Sequence, residues 1–288
     1  MAASLSPSQL VEAFGLIPEA NPFVQLYTNI MGAVSKESQI PCKDPDSMDR
    51  YRNVLPNTEH RVKIKEPESV HMTDYLNASW ISDRMIVGQA PTPLAMPNFW
   101  QAVYDHASII VMLTRLQESD KVKAHQYWPE LDDTISCGFT TVKCIGVAPH
   151  PMLSHLTIRS FIVTSYDPQA QPKLIQQLHY EDWSDHTNPK DMRHLENLLS
   201  IYREMDDSKD ACPIIHCSAG IGRSSMFALG LMLRDRIVSG ETIQVSDVVE
   251  TMQLIRTRRP GAFNSSKHCE FAFRFCVYLQ NTVKPLLA

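Results

Sequence analysis

The sequence predicts an α/β protein of the α+β type, with a highly twisted mixed central sheet flanked by helices. Three observations carry that prediction. Two short apolar runs, ASIIVMLT at 107–114 and ACPIIHC at 211–217, have the length and composition of strands covered on both faces. Three longer runs, FTTVKCIGV (139–147), LTIRSFIVTS (156–165) and KLIQQLHY (173–180), mix polar and apolar positions as antiparallel strands with one exposed face do. Between and after these runs, several segments carry apolar residues at helical spacing.

Taken in order, residues 1 to about 40 read as a helical approach segment, with Leu10, Phe14 and Ile17 on one side and Pro18 and Pro22 closing the first candidate helix. From Asp49 the passage DRYRNVLPNTEHRVKI is extended, basic and aromatic, and it leads through HMTDYLNASWI to a strand. Phe99 to His106 resembles a helix leading into the 107–114 strand. In MRHLENLLSIY, Met192, Leu195, Leu199 and Tyr202 share one helical face. The strand at 211–217 is followed by a glycine-containing loop and a helix, Arg223 to Ile237, that presents Met226, Phe227, Gly230, Leu233 and Ile237. Ser246 is positioned to cap a helix carrying Val248, Val249, Met252 and Ile255, which should end at or just before Pro260-Gly261. A last helix, about Ser266 to Leu279, buries Phe271, Phe275 and Tyr278.

Composition narrows the classes of function. The 288 residues, 43% apolar, are enough for one compact core, and neither an internal repeat nor a proline-rich linker divides the chain. A net charge of -5 gives no global attraction for nucleic acid or an acidic membrane, so neither is an expected partner. The seven cysteines are odd in number and include no CxxC pair, which favours a reduced protein over a disulfide framework or zinc site. No secretory leader or membrane-length apolar run is visible, and a soluble, cytoplasmic chain is the expectation.

The most informative string is IIHCSAGIGRSS at 214–225. Ser218, Ala219, Gly220 and Gly222, with Ile221 between the glycines, allow a tight backbone curl that turns several N–H groups toward one point. The following helix directs the positive end of its dipole there. Cys217 lies at the entrance of this nest, where its thiolate should be stabilised well below the roughly 8.5 of a free thiol. Arg223 can offer two parallel donors to two oxygens of a tetrahedral dianion. The strand and helix therefore bracket a phosphate-binding loop that also holds a nucleophile. No GxxxxGK string is present to make it a nucleotide-binding loop.

These residues resemble the signature HCSAGxGRS/T of the protein tyrosine phosphatase family, specifically its phosphotyrosine-specific domains. The resemblance extends over roughly residues 25 to 280 through DRYRNVLP (49–56), DYLNASWI (74–81), NFWQAVYDH (98–106), QYWPE (126–130), WSD (183–185) and IRTRRPGAF (255–263). It implies a catalytic domain at 25–288 after an N-terminal helical extension at 1–24. It also implies a phosphotyrosine-containing protein or peptide as partner, phosphate or a similar oxyanion in the loop, and neither metal nor cofactor.

Carried over residue by residue, the resemblance makes Cys217 the nucleophile that forms a phosphocysteine, and Arg223 the residue that binds and stabilises the phosphoryl group. Ser224 supplies a hydroxyl to the thiolate, and His216 orders the loop. Asp185 protonates the departing tyrosyl oxygen and then accepts a proton from water, on a loop anchored by Trp183. Tyr51 walls a deep pocket suited to phosphotyrosine, Asn53 binds the substrate backbone, and Arg52 attracts acidic flanking residues. Glu118 holds Arg223 in place.

Six positions depart from the family pattern, those at Ala124 and Ser225 bearing on packing around the loop. WSD stands where the family has WPD, so Ser184 removes a backbone restraint from the loop carrying Asp185, and His186 follows it. Ala124 stands for a familiar cysteine. Asn264 replaces a glutamine that positions the hydrolytic water, and His268 replaces a second glutamine. Ser225 replaces a frequent glycine. The leading expectation is phosphotyrosine hydrolysis. Its competitor is a phosphotyrosine-binding pseudophosphatase, or a very slow enzyme, that sequesters its target.

Overall fold

The computed structural model describes residues 21–31, 47–64, 73–183, 191–206 and 212–283. The first described helix, α1 (Pro22–Met31), opens where the sequence suggested an ending. Asn21 Oδ1 accepts from the amides of Phe23 (2.9 Å) and Val24 (3.3 Å), so Pro22 occupies the first helical position, where its missing N–H costs nothing. Leu10, Phe14 and Ile17 lie outside the described residues.

Next come β1 (Arg61–Lys63), β2 (Tyr75–Ser82), β3 (Met85–Gly88), α2 (Met96–His106) and β4 (Ile109–Met112). A two-stranded ribbon follows, β5 (Gln117–Glu118) with β6 (Lys121–Val122). Beyond it are β7 (Thr134–Cys137), β8 (Thr140–Pro149), β9 (Leu156–Ser165), β10 (Lys173–Tyr180) and α3 (Met192–Met205). The chain closes with β11 (Pro213–His216), α4 (Arg223–Val238), α5 (Val245–Arg258) and α6 (Ser266–Thr282).

The main sheet runs β1-β2-β3-β11-β4-β10-β9-β8-β7. Its middle is parallel, with β11 paired to both β3 and β4, and β4 to β10, while the flanks are antiparallel. This is the mixed sheet expected from the alternation of short apolar and longer patterned runs. The apolar runs at β4 and β11 have no polar face because both of their faces are covered. Ile109, Val111 and Ile215 point into the core beneath α1 and α3–α6, whereas Ile110, Met112 and Ile214 point to the opposite core around α2.

Helix α4 lies within the first core and is buried on most sides. Gly230 permits this closeness, since a Cβ there would fall 2.9 Å from Phe275 of α6 and 3.1 Å from Leu199 of α3. Phe23 of α1 packs its ring 6.1 Å from Phe273 of α6, tying the first described helix to the last. The cap of α5 differs from the expected one. Gln244, not Ser246, precedes the helix, and its amide donates to Asp247 Oδ2 at 2.6 Å, a reciprocal capping box that leaves Ser246 inside the first turn. Among the described residues six cysteines are present, all buried and free.

Candidate active site

Cys217 leaves the C-terminal end of β11, one of the parallel strands in the middle of the sheet, and the chain curls through Gly222 into α4. Four carbonyls of this loop, those of Ser218, Ala219, Gly220 and Ile221, are engaged from outside it. Ser218 O accepts from Ala90 N (3.0 Å) and Ile221 O from Phe263 N (2.8 Å). Ala219 O and Gly220 O accept from the Arg259 guanidinium at 2.9 and 3.2 Å. With its carbonyls held outward the loop turns amides inward, and Gly220 N donates to Cys217 Sγ at 3.3 Å. Gly220 has φ +71°, and a Cβ there would meet Gly88 O at 2.1 Å. Gly220→Ala is therefore expected to cost about 3 kcal/mol or more, from left-handed strain plus collision with backbone, seen as a lowered Tm. An unchanged Tm would refute this reading of the loop.

Cys217 is 3% exposed. Burial opposes its thiolate, but the Arg223 charge, the Ser224 hydroxyl dipole and the Ser224 and Gly220 amides outweigh that opposition and hold the thiol below its ordinary range. The Ser224 hydroxyl is buried without a fully formed hydrogen bond, so its contribution is a nearby dipole rather than a tight contact. Cys212 and Cys269 lack such partners, and burial pushes both up to about 12. Because the Cys217 pKa is lowered, its thiolate survives as pH falls and disappears only below that lowered value. Iodoacetate at about pH 6 should thus alkylate Cys217 and leave Cys212 and Cys269 untouched. Equal labelling of the three, read by peptide mass spectrometry, would contradict this.

Arg223 is 3% exposed, and its Nη1 donates to Glu118 Oε1 (2.5 Å) and to the Trp183 carbonyl (2.8 Å). Thr114 Oγ1 donates to the same Glu118 oxygen at 3.0 Å, so the β5–β6 ribbon aims the guanidinium. Trp183 is buried in the core beneath the loop. His216 is fully buried, and burial pushes it down to about 3, which keeps the imidazole neutral.

Tyr51 packs with Val54, Ala219 and Ile221, and its hydroxyl lies 2.8 Å from Ser218 Oγ, which donates to Lys123 O at 2.7 Å. Arg52 and Asn53 are exposed beside it. Asn264 and His268 both reach the helix-start side of the loop. Asn264 Oδ1 and His268 Cε1 stand 3.8 and 3.3 Å from where a Cβ on Gly222 would lie. Asp185, with Ser184 and His186, lies outside the described residues.

The structure thus brings Cys217, the loop residues, Arg223, Glu118, Trp183, Tyr51, Asn264 and His268 around one loop. Sequence reasoning missed Arg259, one of three arginines in IRTRRPG that pattern alone does not distinguish. It is fully buried, and burial pushes it down to about 10. Reasoning from sequence also passed over Arg50, which donates to Ala90 O (3.2 Å) and Pro91 O (2.9 Å) and so docks the Tyr51 segment on the end of β3.

A depressed cysteine at the mouth of inward amides, with a buried guanidinium clamped beside it, defines a phosphatase domain of the cysteine-nucleophile class. The comparisons agree. Residues 46–278 match the family model described as protein-tyrosine phosphatase, and the chain belongs to that family. It is 28% identical over 301 residues to Tyrosine-protein phosphatase 1 of Caenorhabditis elegans, covering 99% of this chain and 27% of that protein. It is 30% identical over 232 residues to Receptor-type tyrosine-protein phosphatase epsilon of Mus musculus, covering 77% of this chain and 32% of that protein. The chain therefore spans about a quarter to a third of the length of these relatives. A solved structure described as PTPN18 in complex with HER2-pY1248 phosphor-peptides shares the fold, with a TM-score of 0.78, 20% identity, and 89% of this chain and 99% of that one covered. Among the described residues no helix is long and apolar enough to cross a membrane.

Proposed function

We propose that residues 25–288 form a catalytic domain that hydrolyses phosphotyrosine in proteins through a phosphocysteine, with residues 1–24 as an extension. The observation that carries this reading is the Cys217 sulfur, held under the Gly220 amide and within the field of Arg223, in a loop roofed by Tyr51. Cys217 Sγ attacks phosphorus and the P–O bond to tyrosine breaks. Asp185 gives its proton to the departing oxygen, because a phenolate leaves more easily once neutralised. The inward amides and Arg223 meet the charge on the transferring oxygens. Water then attacks the S–P bond, Asp185 takes its proton, and orthophosphate leaves with the thiolate restored. Tyr51 supports selection for the long phosphotyrosine side chain, while Arg52 and Asn53 contact flanking substrate.

Asn264 is one methylene shorter than glutamine, so the hydrolytic water is held less closely and the second step becomes slow. Rapid mixing with a phosphotyrosine peptide should show tyrosyl product released stoichiometrically with enzyme, followed by slower phosphate release. Asn264→Gln should raise the slow rate about tenfold. Simultaneous single-phase release would refute the bottleneck. Absence of any tyrosyl product despite tight peptide binding would refute hydrolysis and leave a phosphotyrosine-binding pseudophosphatase.

A further inference from the structure

Behind the catalytic loop a file of polar groups runs from the partly buried Arg159 to the fully buried His216 across the sheet. Arginine can only donate, and Arg159 Nη1 of β9 directs its two N–H groups at Gln177 Oε1 (3.1 Å) and His179 Nδ1 (3.2 Å) on β10. The oxygen of Gln177 therefore faces Arg159, and its Nε2 donates to the Tyr127 hydroxyl at 2.8 Å. That hydroxyl, already accepting, sends its own hydrogen to His216 Nε2 at 2.7 Å. The other acceptor in its reach, the Met112 thioether at 3.9 Å, is too weak to compete. His216 Nε2 is then bare, so the ring proton sits on Nδ1 and donates to Cys217 O at 3.2 Å.

The second branch has the opposite polarity. His179 Nδ1 accepts from Arg159, so its proton is on Nε2, which donates to Thr114 O at 2.9 Å and faces Glu181 Oε1 at 3.9 Å. Thr114 Oγ1 in turn donates to the Glu118 oxygen that holds Arg223. Gln177 and His216 are fully buried and Tyr127 is 1% exposed, so no bulk water can reverse the order of donors.

We propose that Arg159 and Gln177 are positioning residues that set the tautomers of two neutral histidines, placing hydrogen on Nδ1 of His216 and on Nε2 of His179. In that arrangement the Cys217 carbonyl is fixed by a donor, and the Thr114 segment that carries the contact to Glu118 is fixed by another. The kinetic consequence rests on Cys217 being the nucleophile; the tautomers do not.

Long-range 15N–1H spectra of histidine-labelled protein read both rings without any turnover. The expected result is an Nδ1–H form for His216 and an Nε2–H form for His179, and the reverse for either ring overturns the proposal. Gln177→Glu reverses the relay. A carboxylate accepts from both Arg159 and Tyr127, so the tyrosyl oxygen becomes an acceptor for His216 Nε2–H and a bare Nδ1 faces the Cys217 carbonyl. His216 should flip while His179 stays, with kcat lowered roughly 10–100-fold. Retention of Nδ1–H in Gln177→Glu overturns the role of Gln177. Gln177→Met, which removes the donor without adding charge, should give a mixture of tautomers, and a pure Nδ1–H form there overturns it equally. Protein that is inactive on phosphotyrosine yet shows the expected tautomers would refute the functional reading and not this one.

Discussion

Cys217→Ser should lower turnover of a phosphotyrosine peptide by at least about 10⁴-fold while leaving peptide binding intact. The site stabilises an anion on sulfur through the Arg223 charge and the Ser224 and Gly220 groups, against the opposing effect of burial. A serine hydroxyl is a far weaker acid than a thiol, and the same field does not ionise it. Binding depends on different groups, the inward amides and the Arg223 fork, which the substitution leaves in place. Phosphate-release kinetics and calorimetric binding of the same peptide separate the two effects. Release faster than about a hundredth of the parent rate would mean that another group attacks phosphorus.

Arg223→Lys should cost about 10³-fold in kcat/KM even though charge is conserved. Arg223 gives Nη1 to Glu118 at 2.5 Å and to the Trp183 carbonyl at 2.8 Å, and a planar guanidinium presents its donors in a fixed fork that matches two phosphoryl oxygens. A lysine ammonium reaching the ligand abandons Glu118, and one reaching Glu118 abandons the ligand. Either way a buried group is left without its partner. Glu118→Gln should cost less, because the guanidinium keeps its shape and its contact with the Trp183 carbonyl. Steady-state kinetics on the three proteins, with circular dichroism to confirm folding, test the ranking. An Arg223→Lys protein within tenfold of its parent would show that point charge suffices.

Much of the scaffold was legible because each signal was local. The β4 and β11 runs are apolar on both faces since helices cover both sides of them, and the three longer strands betray their exposed face by mixed patterning. Misreadings fell at helix starts. Pro22 is compatible with ending one helix or opening another, and only the Asn21 side chain decides between them. Ser246 is a good cap by residue type, but Gln244 and Asp247, three positions apart across the helix start, do the capping instead. Neither choice is encoded in residue type alone, since several adjacent residues can cap with similar free energies.

By itself the sequence determined the positions of Cys217 and Arg223, the small-residue loop between them and their order along the chain. The spacing from Cys217 to Arg223 lies within one strand-loop-helix unit, where backbone geometry depends on neighbouring residues. Tertiary structure alone decided the supports. Arg259 clamps the loop carbonyls from across the fold, and Arg159 on β9 connects to Cys217 through Gln177 on β10, Tyr127 in the loop after the ribbon and His216 on β11. The physical reason is that buried donors and acceptors must find partners wherever packing brings them, and which of many arginines or glutamines is buried follows from the closed sheet rather than from any stretch of chain.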